Sequence, residues 1–151
     1  MTNQTPYAKP LPTPSYNSQP FWDAAKQHRL TYQRCRACGT RVFYPRDICP
    51  GKECFGVGTL EWLESTGKGW LYSFTVVLQP ADPSFRPDVP YILAVVEMEE
   101  GWRMTTNVVN ASAGTLNIGD RVEVAWEDVT PEFSLPKFQP VKGRTARRRG
   151  Q

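Results

Sequence analysis

The sequence predicts a mainly β chain, in which a short N-terminal helix and a small cysteine-bearing ribbon precede a five-stranded barrel of the OB type. Three observations carry that expectation. The 151 residues include 14 prolines, 11 glycines and 12% aromatics, a composition that disfavours long helices and favours short strands joined by turns. From Leu60 onward, apolar runs of strand length recur with turn residues between them, five or so in about seventy residues with one long loop, which suits a small Greek-key barrel. All four cysteines fall between Cys35 and Cys54, a segment too small for a core of its own.

Element by element, residues 1–17 carry Pro6, Pro10, Pro12 and Pro14 and few core residues, so they are expected to form an extended arm. Residues 18–66 are expected to hold the helix and ribbon. Asn17 or Ser18 is a fitting N-cap for a helix through Phe21, Trp22, Ala24, Ala25 and His28, with Asp23 in its first turn. Leu30 to Cys35 alternates like a strand, and Val42-Phe43-Tyr44 is a second one limited by Pro45. Leu60 to Thr66 follows, broken by Gly67-Lys68-Gly69. The barrel is expected over 67–141. Trp70 to Leu78 alternates with Trp70, Tyr72, Phe74 and Val76 on one side, and a proline-rich loop runs from Gln79 to Pro90. Tyr91 to Met98 is a nearly continuous apolar strand, Glu99-Glu100-Gly101 turns it, and Trp102 to Val109 returns. Val122, Val124 and Trp126 follow the Gly119-Asp120 turn, and Leu135 to Phe138 completes the set. Residues 142–151 form a basic tail without core pattern.

The formal net charge of +3 conceals a polarised chain. Lys26 to Lys52 holds seven basic residues and one acid, Asp47, whereas Glu53 to Pro136 holds four bases against 13 acids. Six further bases lie from Lys137 onward. No apolar run approaches the roughly 20 residues of a membrane span, and the polar, proline-rich start lacks the apolar stretch of a secretory signal. The chain is therefore expected to be soluble and cytoplasmic.

Cys35-x2-Cys38 and Cys49-x4-Cys54 supply two thiol pairs separated by a short hairpin, the arrangement that tetrahedral zinc requires: each pair spans one edge of the tetrahedron. Two disulfides would use the same residues but suit an oxidising compartment, and a redox Cys-x-x-Cys belongs in a βαβ setting that is missing here. Iron is the second metal such a cage accepts. With four thiolates bound no position stays open for water, so the site is expected to be structural, one zinc per chain. Its charge of −2 would be offset by Arg34, Arg36, Arg41, Arg46 and Lys52.

The residues of covalent or acid–base catalysis are not evident. His28 is the single histidine, the cysteines are committed to metal, and phosphate-loop, dinucleotide and nucleophile-elbow motifs are absent. Glu97, Glu99 and Glu100 flank a turn and are expected to form a solvated face. A nucleic-acid module is the alternative from another class: Tyr72, Phe74, Tyr91, Trp102 and Trp126 could stack bases as OB folds do. The acidic barrel argues against it, because phosphates would be repelled.

The chain resembles a known family at ordered blocks: Pro20-Phe21-Trp22, Leu30 to Cys35, the Cys35-x2-Cys38-Gly39 knuckle, Phe43-Tyr44-Pro45-Arg46 before Cys49-Pro50, Gly67 to Val77, Pro90 to Ala94, Thr106 to Val109 and Leu135 to Phe138. These are the marks of the thiolase-associated, rubredoxin-like zinc ribbon plus OB-fold proteins, over about residues 18–141. The resemblance implies a subunit without catalysis of its own that packs on a thiolase-fold partner and helps shape its acyl-CoA site, as in benzoylsuccinyl-CoA thiolase and steroid side-chain aldolases. Coenzyme A would then be a ligand shared with the partner, and Arg41, Phe43, Tyr44, Arg46 and Lys52 are the candidate contacts. The x4 spacing and the arginine-rich extension after Val141 depart from the family pattern.

Overall fold

The computed structural model describes residues 6–143, so most of the expected basic tail and the first five residues of the arm lie outside the described residues. Helix α1 spans Gln19–Ala25, preceded by Ser18 with Pro20 in its first turn, and buries Phe21, Ala24 and Ala25. Asp23 stands beyond the first turn, where it accepts the Gln19 amide at 2.8 Å instead of facing the free N–H groups. His28 is not helical. It has a left-handed backbone (φ 57), and Arg29 N–H to the Ala24 carbonyl with His28 N–H to Ala25 closes the helix in a Schellman-type turn.

Strand β1 (Thr31–Cys35) is the centre of a three-stranded antiparallel sheet, flanked by β2 (Arg41–Val42) and β3 (Leu60–Glu64). β2 is shorter than expected because Phe43 leaves the sheet to pack between Phe21 and Trp102, at ring distances of 5.6 and 4.7 Å. The buried Gln33 amide takes over the pairing there, accepting Arg46 N–H at 2.9 Å and donating to its carbonyl at 3.2 Å.

The remaining strands, β4 (Lys68–Val77), β5 (Tyr91–Met98), β6 (Arg103–Val108), β7 (Arg121–Asp128) and β8 (Ser134–Pro140), close a barrel in the order β4-β5-β6-β8-β7. β7 returns to β4 through Lys68↔Glu123 and Gly69↔Val122, and β8 meets β6 in parallel at Val108↔Phe138. The expected alternation of β4 does not hold. The register shifts between Leu71 and Ser73, so Tyr72 bulges out, and the inward positions change from Gly69 and Leu71 to Phe74. Gly69 lies so close to β5 that a β-carbon there would stand 2.3 Å from the Glu97 carbonyl oxygen. The long loop contains a 3₁₀ helix, Pro83–Asp88, begun by the Asp82 carboxylate accepting Ser84 N–H.

Leu71, Val96, Met98, Val122 and Phe138 fill the barrel. Phe21, Leu30 and Tyr32 join the same cluster through Trp102, on which Tyr32 stacks at 5.4 Å. The helix and sheet thus share one apolar core with the barrel. Glu99 and Glu100 do not simply face solvent: Glu100 accepts Ser65 Oγ and Thr66 N–H, while Glu99 accepts Thr66 Oγ1 and pairs with Arg121. These carboxylates grip the 65–67 connection between sheet and barrel, and Arg121 beside Glu99 holds its carboxyl below the usual range.

Tyr7 and Lys9 to Pro12 of the arm line a groove against the chain's own barrel. Lys9 pairs with Asp88 and stands over the rings of Tyr7 and Phe85. No helix among the described residues is long and apolar enough to cross a membrane.

Candidate metal centre

The two cysteine pairs sit on two turns at one end of the three-stranded sheet. Cys35 ends β1, and Gly39 N–H returns to its carbonyl at 2.9 Å, closing the first knuckle with Gly39 at φ 77. The second knuckle is closed by Cys54 N–H to the Gly51 carbonyl at 3.0 Å, and its two extra residues are absorbed by Glu53 at φ 65. A bridge between Ile48 and Val57, with Cys49 N–H on the Gly56 carbonyl, forms the base of that loop. The unusual spacing therefore lengthens one turn without separating the thiols.

All four sulfurs lie within 4.8 Å of one another, with Cys35–Cys54 at 3.8 Å and Cys38–Cys49 at 3.5 Å. Four sulfurs each about 2.3 Å from a central ion would stand about 3.8 Å apart, so the arrangement fits a tetrahedral thiolate site. The cysteines are not joined to one another. Cys35 and Cys49 are buried, Cys54 is half-buried and Cys38 is exposed.

The donors around the sulfurs suit thiolates. Each sulfur accepts the amide of the residue two positions on, Ala37 to Cys35, Thr40 to Cys38, Gly51 to Cys49 and Gly56 to Cys54, and Cys35 also accepts the Cys38 amide. The hydroxyls of Thr59 and Thr40 add contacts to Cys35 at 3.2 Å and Cys38 at 3.1 Å. Hydrogen bonding from Thr59 holds the Cys35 thiol at about 6, and Thr40 lowers Cys38. Burial pushes Cys49 up to about 12, the direction expected of a sulfur that needs an ion to ionise. Gly51 leaves no room for a side chain, since a β-carbon would stand 2.6 Å from Thr40 Oγ1 and 2.9 Å from the Cys38 sulfur.

Thr40, Thr59 and Gly51 were not among the residues singled out from sequence, although Thr40 and Gly51 share a legible signal as the residue two after a cysteine. The cations expected to offset the cluster are engaged elsewhere in part: Arg34 pairs with Glu61 at 2.8 Å, and Arg36 donates to the Gly58 carbonyl at 3.0 Å.

The five candidate ligand contacts are only partly brought together. Arg46 Nε approaches the Tyr44 carbonyl at 3.5 Å, and the Tyr44 and Phe43 rings are 4.6 Å apart. The Tyr44 hydroxyl accepts Thr105 N–H on β6, which ties this loop to the barrel. Phe43 is half-buried among aromatic rings, Arg41 is exposed opposite Arg34, and Lys52 is exposed in the second knuckle. A separate groove of about 990 Å³ runs between the arm and the barrel, walled by Leu11, Phe85, Tyr91, Leu93 and Leu135.

Elsewhere, Ser134, Asp128 and His28 resemble a catalytic set in type but not in arrangement. Ser134 Oγ and His28 Nε2 both meet Asp128 Oδ1, at 2.5 and 2.6 Å, so the carboxylate stands where a base would have to be. The five rings considered for base stacking are occupied: Trp102 is buried, Trp126 lies under His28, Tyr72 under Arg103, Tyr91 against Phe85, and Phe74 packs on the core.

A four-cysteine ribbon feeding a closed five-stranded barrel defines a rubredoxin-like zinc ribbon plus OB-fold protein, with four cysteines that could hold a metal. The chain belongs to the ChsH2-type DUF35 family: residues 22–61 match the family model described as the ChsH2 rubredoxin-like zinc ribbon domain, and residues 62–127 match the ChsH2 C-terminal OB-fold domain. It is 39% identical over 71% of its length to a DUF35 domain-containing scaffold protein of Methanothermobacter thermautotrophicus, covering 78% of that protein. It is also 38% identical, over 93% of its length, to a probable enoyl-CoA hydratase alpha subunit of Thermomonospora curvata, but spans 43% of that protein. Among solved structures, a chain of the Ltp2-ChsH2(DUF35) aldolase superposes with a TM-score of 0.74 at 36% identity, covering 86% of this chain and 98% of that one.

Proposed function

We propose that this chain is the zinc-binding accessory subunit of an acyl-CoA thiolase or aldolase complex. It docks on a thiolase-fold partner, which brings the nucleophile and base for carbon–carbon chemistry, and it helps shape the acyl-CoA site. The observation that carries this is the pairing of four clustered cysteine sulfurs, fit for a closed metal site, with a chain whose one histidine faces a carboxylate rather than a nucleophile. The likeness to the aldolase chain and to proteins named scaffolds supports it.

Cys35, Cys38, Cys49 and Cys54 would hold one structural zinc. When bound, the ion supplies folding free energy and no open coordination position. The chain's own groups then do the positioning. Thr40, Thr59 and the five amides fix the sulfurs, and Tyr44 fixes the adjoining loop on the barrel. Arg41, Arg46 and Lys52 are the cations that would meet the phosphates of coenzyme A, with Phe43 and Tyr44 beside them. The apolar groove under the arm gives the barrel a second surface to offer an acyl group.

Affinity purification of the tagged full chain from its native host, followed by mass spectrometry, tests the proposal. A thiolase-fold subunit is expected at stoichiometric level; its absence would overturn the assignment.

A further inference from the structure

The arm crosses the barrel without filling the space beneath it. The groove left between them, about 990 Å³, is near the upper end of the roughly 300–1,000 Å³ of ligand sites. Part of its floor is a row of strand neighbours: Val76 on β4 pairs with Ile92 on β5, which pairs with Val108 on β6. Val76 and Leu93 keep 37% and 38% of their surface exposed there, and Leu11 on the arm keeps 42%. Hydrocarbon is therefore left open on both walls.

The arm is fastened only at its ends. Lys9 pairs with Asp88, the last residue of the 3₁₀ helix, and stands 5.7 Å from the ring centres of both Tyr7 and Phe85. From Ser15 onward the chain is held by hydrogen bonds that lead into α1, among them Gln19 N–H to the Ser15 carbonyl at 2.9 Å. Between these points no hydrogen bond to the described residues holds residues 10–14, and Pro10, Pro12 and Pro14 have no N–H to give.

Polarity selects the occupant. The four charged residues of the groove pair with one another, Lys9 with Asp88 and Lys137 with Glu127. Its side-chain amides are engaged as well: Asn107 donates to the Ile92 carbonyl at 3.1 Å and Asn110 to Gln139 at 2.8 Å. An anion would have to break these contacts, whereas an apolar group keeps them and displaces only water. We propose that residues 9–15 form a strap that encloses the uncharged hydrocarbon end of an acyl group against Val76, Ile92 and Val108, with Leu11 above it and the Lys9–Asp88 pair as its latch. The identity of the occupant rests on the acyl-CoA reading above.

The test is equilibrium binding of N-phenyl-1-naphthylamine, an uncharged apolar fluorophore, to the zinc-loaded full chain, followed by displacement with decanoyl-CoA. Wild type is expected to bind one probe per chain and to release it to decanoyl-CoA but not to coenzyme A alone. Leu11→Asp and Val76→Asp put a carboxylate into the roof and the floor at half-exposed positions, and each should raise the probe Kd at least tenfold at an unchanged melting temperature. Leu11 lies outside every strand, so its variant reads the groove even where Val76→Asp loosens β4. Lys9→Ala should speed probe release at least threefold. Wild type without saturable binding, or Leu11→Asp within twofold of wild type, overturns the strap and leaves the subunit assignment standing. Displacement by coenzyme A alone, or none by decanoyl-CoA, overturns the hydrocarbon end as occupant. Selective displacement by decanoyl-CoA in a protein that retains no thiolase-fold subunit supports the strap and overturns the subunit assignment alone.

Discussion

Cys35→Ser and Cys54→Ser are each expected to abolish cooperative folding of residues 30–60 and to leave the protein without stoichiometric zinc. The reason is local. From Cys35 to Thr59 the ribbon has a two-residue β2, two turns and only Cys35, Val42 and Cys49 as buried side chains, so little else holds its knuckles in place. A structural zinc in such a segment contributes about 10–16 kcal/mol, comparable to an ordinary domain's whole stability. Losing one of four thiolates also leaves the buried Cys49 sulfur, already the hardest to ionise, without an ion to compensate it. Metal analysis and hydrogen exchange on the same samples check the result. Wild type should carry one zinc per chain, whereas wild type with less than about half occupancy after careful purification would contradict the cage.

Phe138→Ala is expected to destabilise the barrel by about 3–5 kcal/mol, the range for emptying a packed aromatic site. Phe138 is fully buried on β8, the strand that lies between β6 and β7 in the closed barrel. It pairs with Val124 on β7 and Val108 on β6, and its carbonyl accepts Val109 N–H at 2.8 Å. The cavity therefore opens where the parallel and antiparallel pairings meet, and side chains on three strands cannot all move into it. Urea denaturation followed by tryptophan fluorescence measures the loss. A change below about 1 kcal/mol would mean that the closure depends on the backbone ladder alone.

These features differ in how far they could be read from the chain. The strand Tyr91–Met98 was legible to the residue, because a near-continuous apolar run between a proline loop and a Glu-Glu-Gly turn has few other ways to fold. The five-stranded closure was legible from strand spacing. The bulge at Tyr72 was not, since period-two alternation assumes regular pairing and the shift depends on how β5 fits beside it. Glu99 and Glu100 looked like a solvated turn because their partners Ser65, Thr66 and Arg121 are remote in sequence. His28 carried a helical spacing but sits in the turn that ends the helix, a position set by the carbonyls behind it. The clustering of the four sulfurs was legible from spacing, and the tolerance of the x4 turn became clear only with the backbone of Glu53 and Phe55.

The division of labour can be measured in one assay. The isolated zinc-loaded chain, the purified partner and their mixture are each given the same acyl-CoA substrate under identical conditions. The chain alone is expected to show no turnover of the thioester, and carbon–carbon cleavage or formation by the partner is expected to rise when the chain is added. Turnover by the isolated chain, retained when the partner is rigorously removed, would contradict the account.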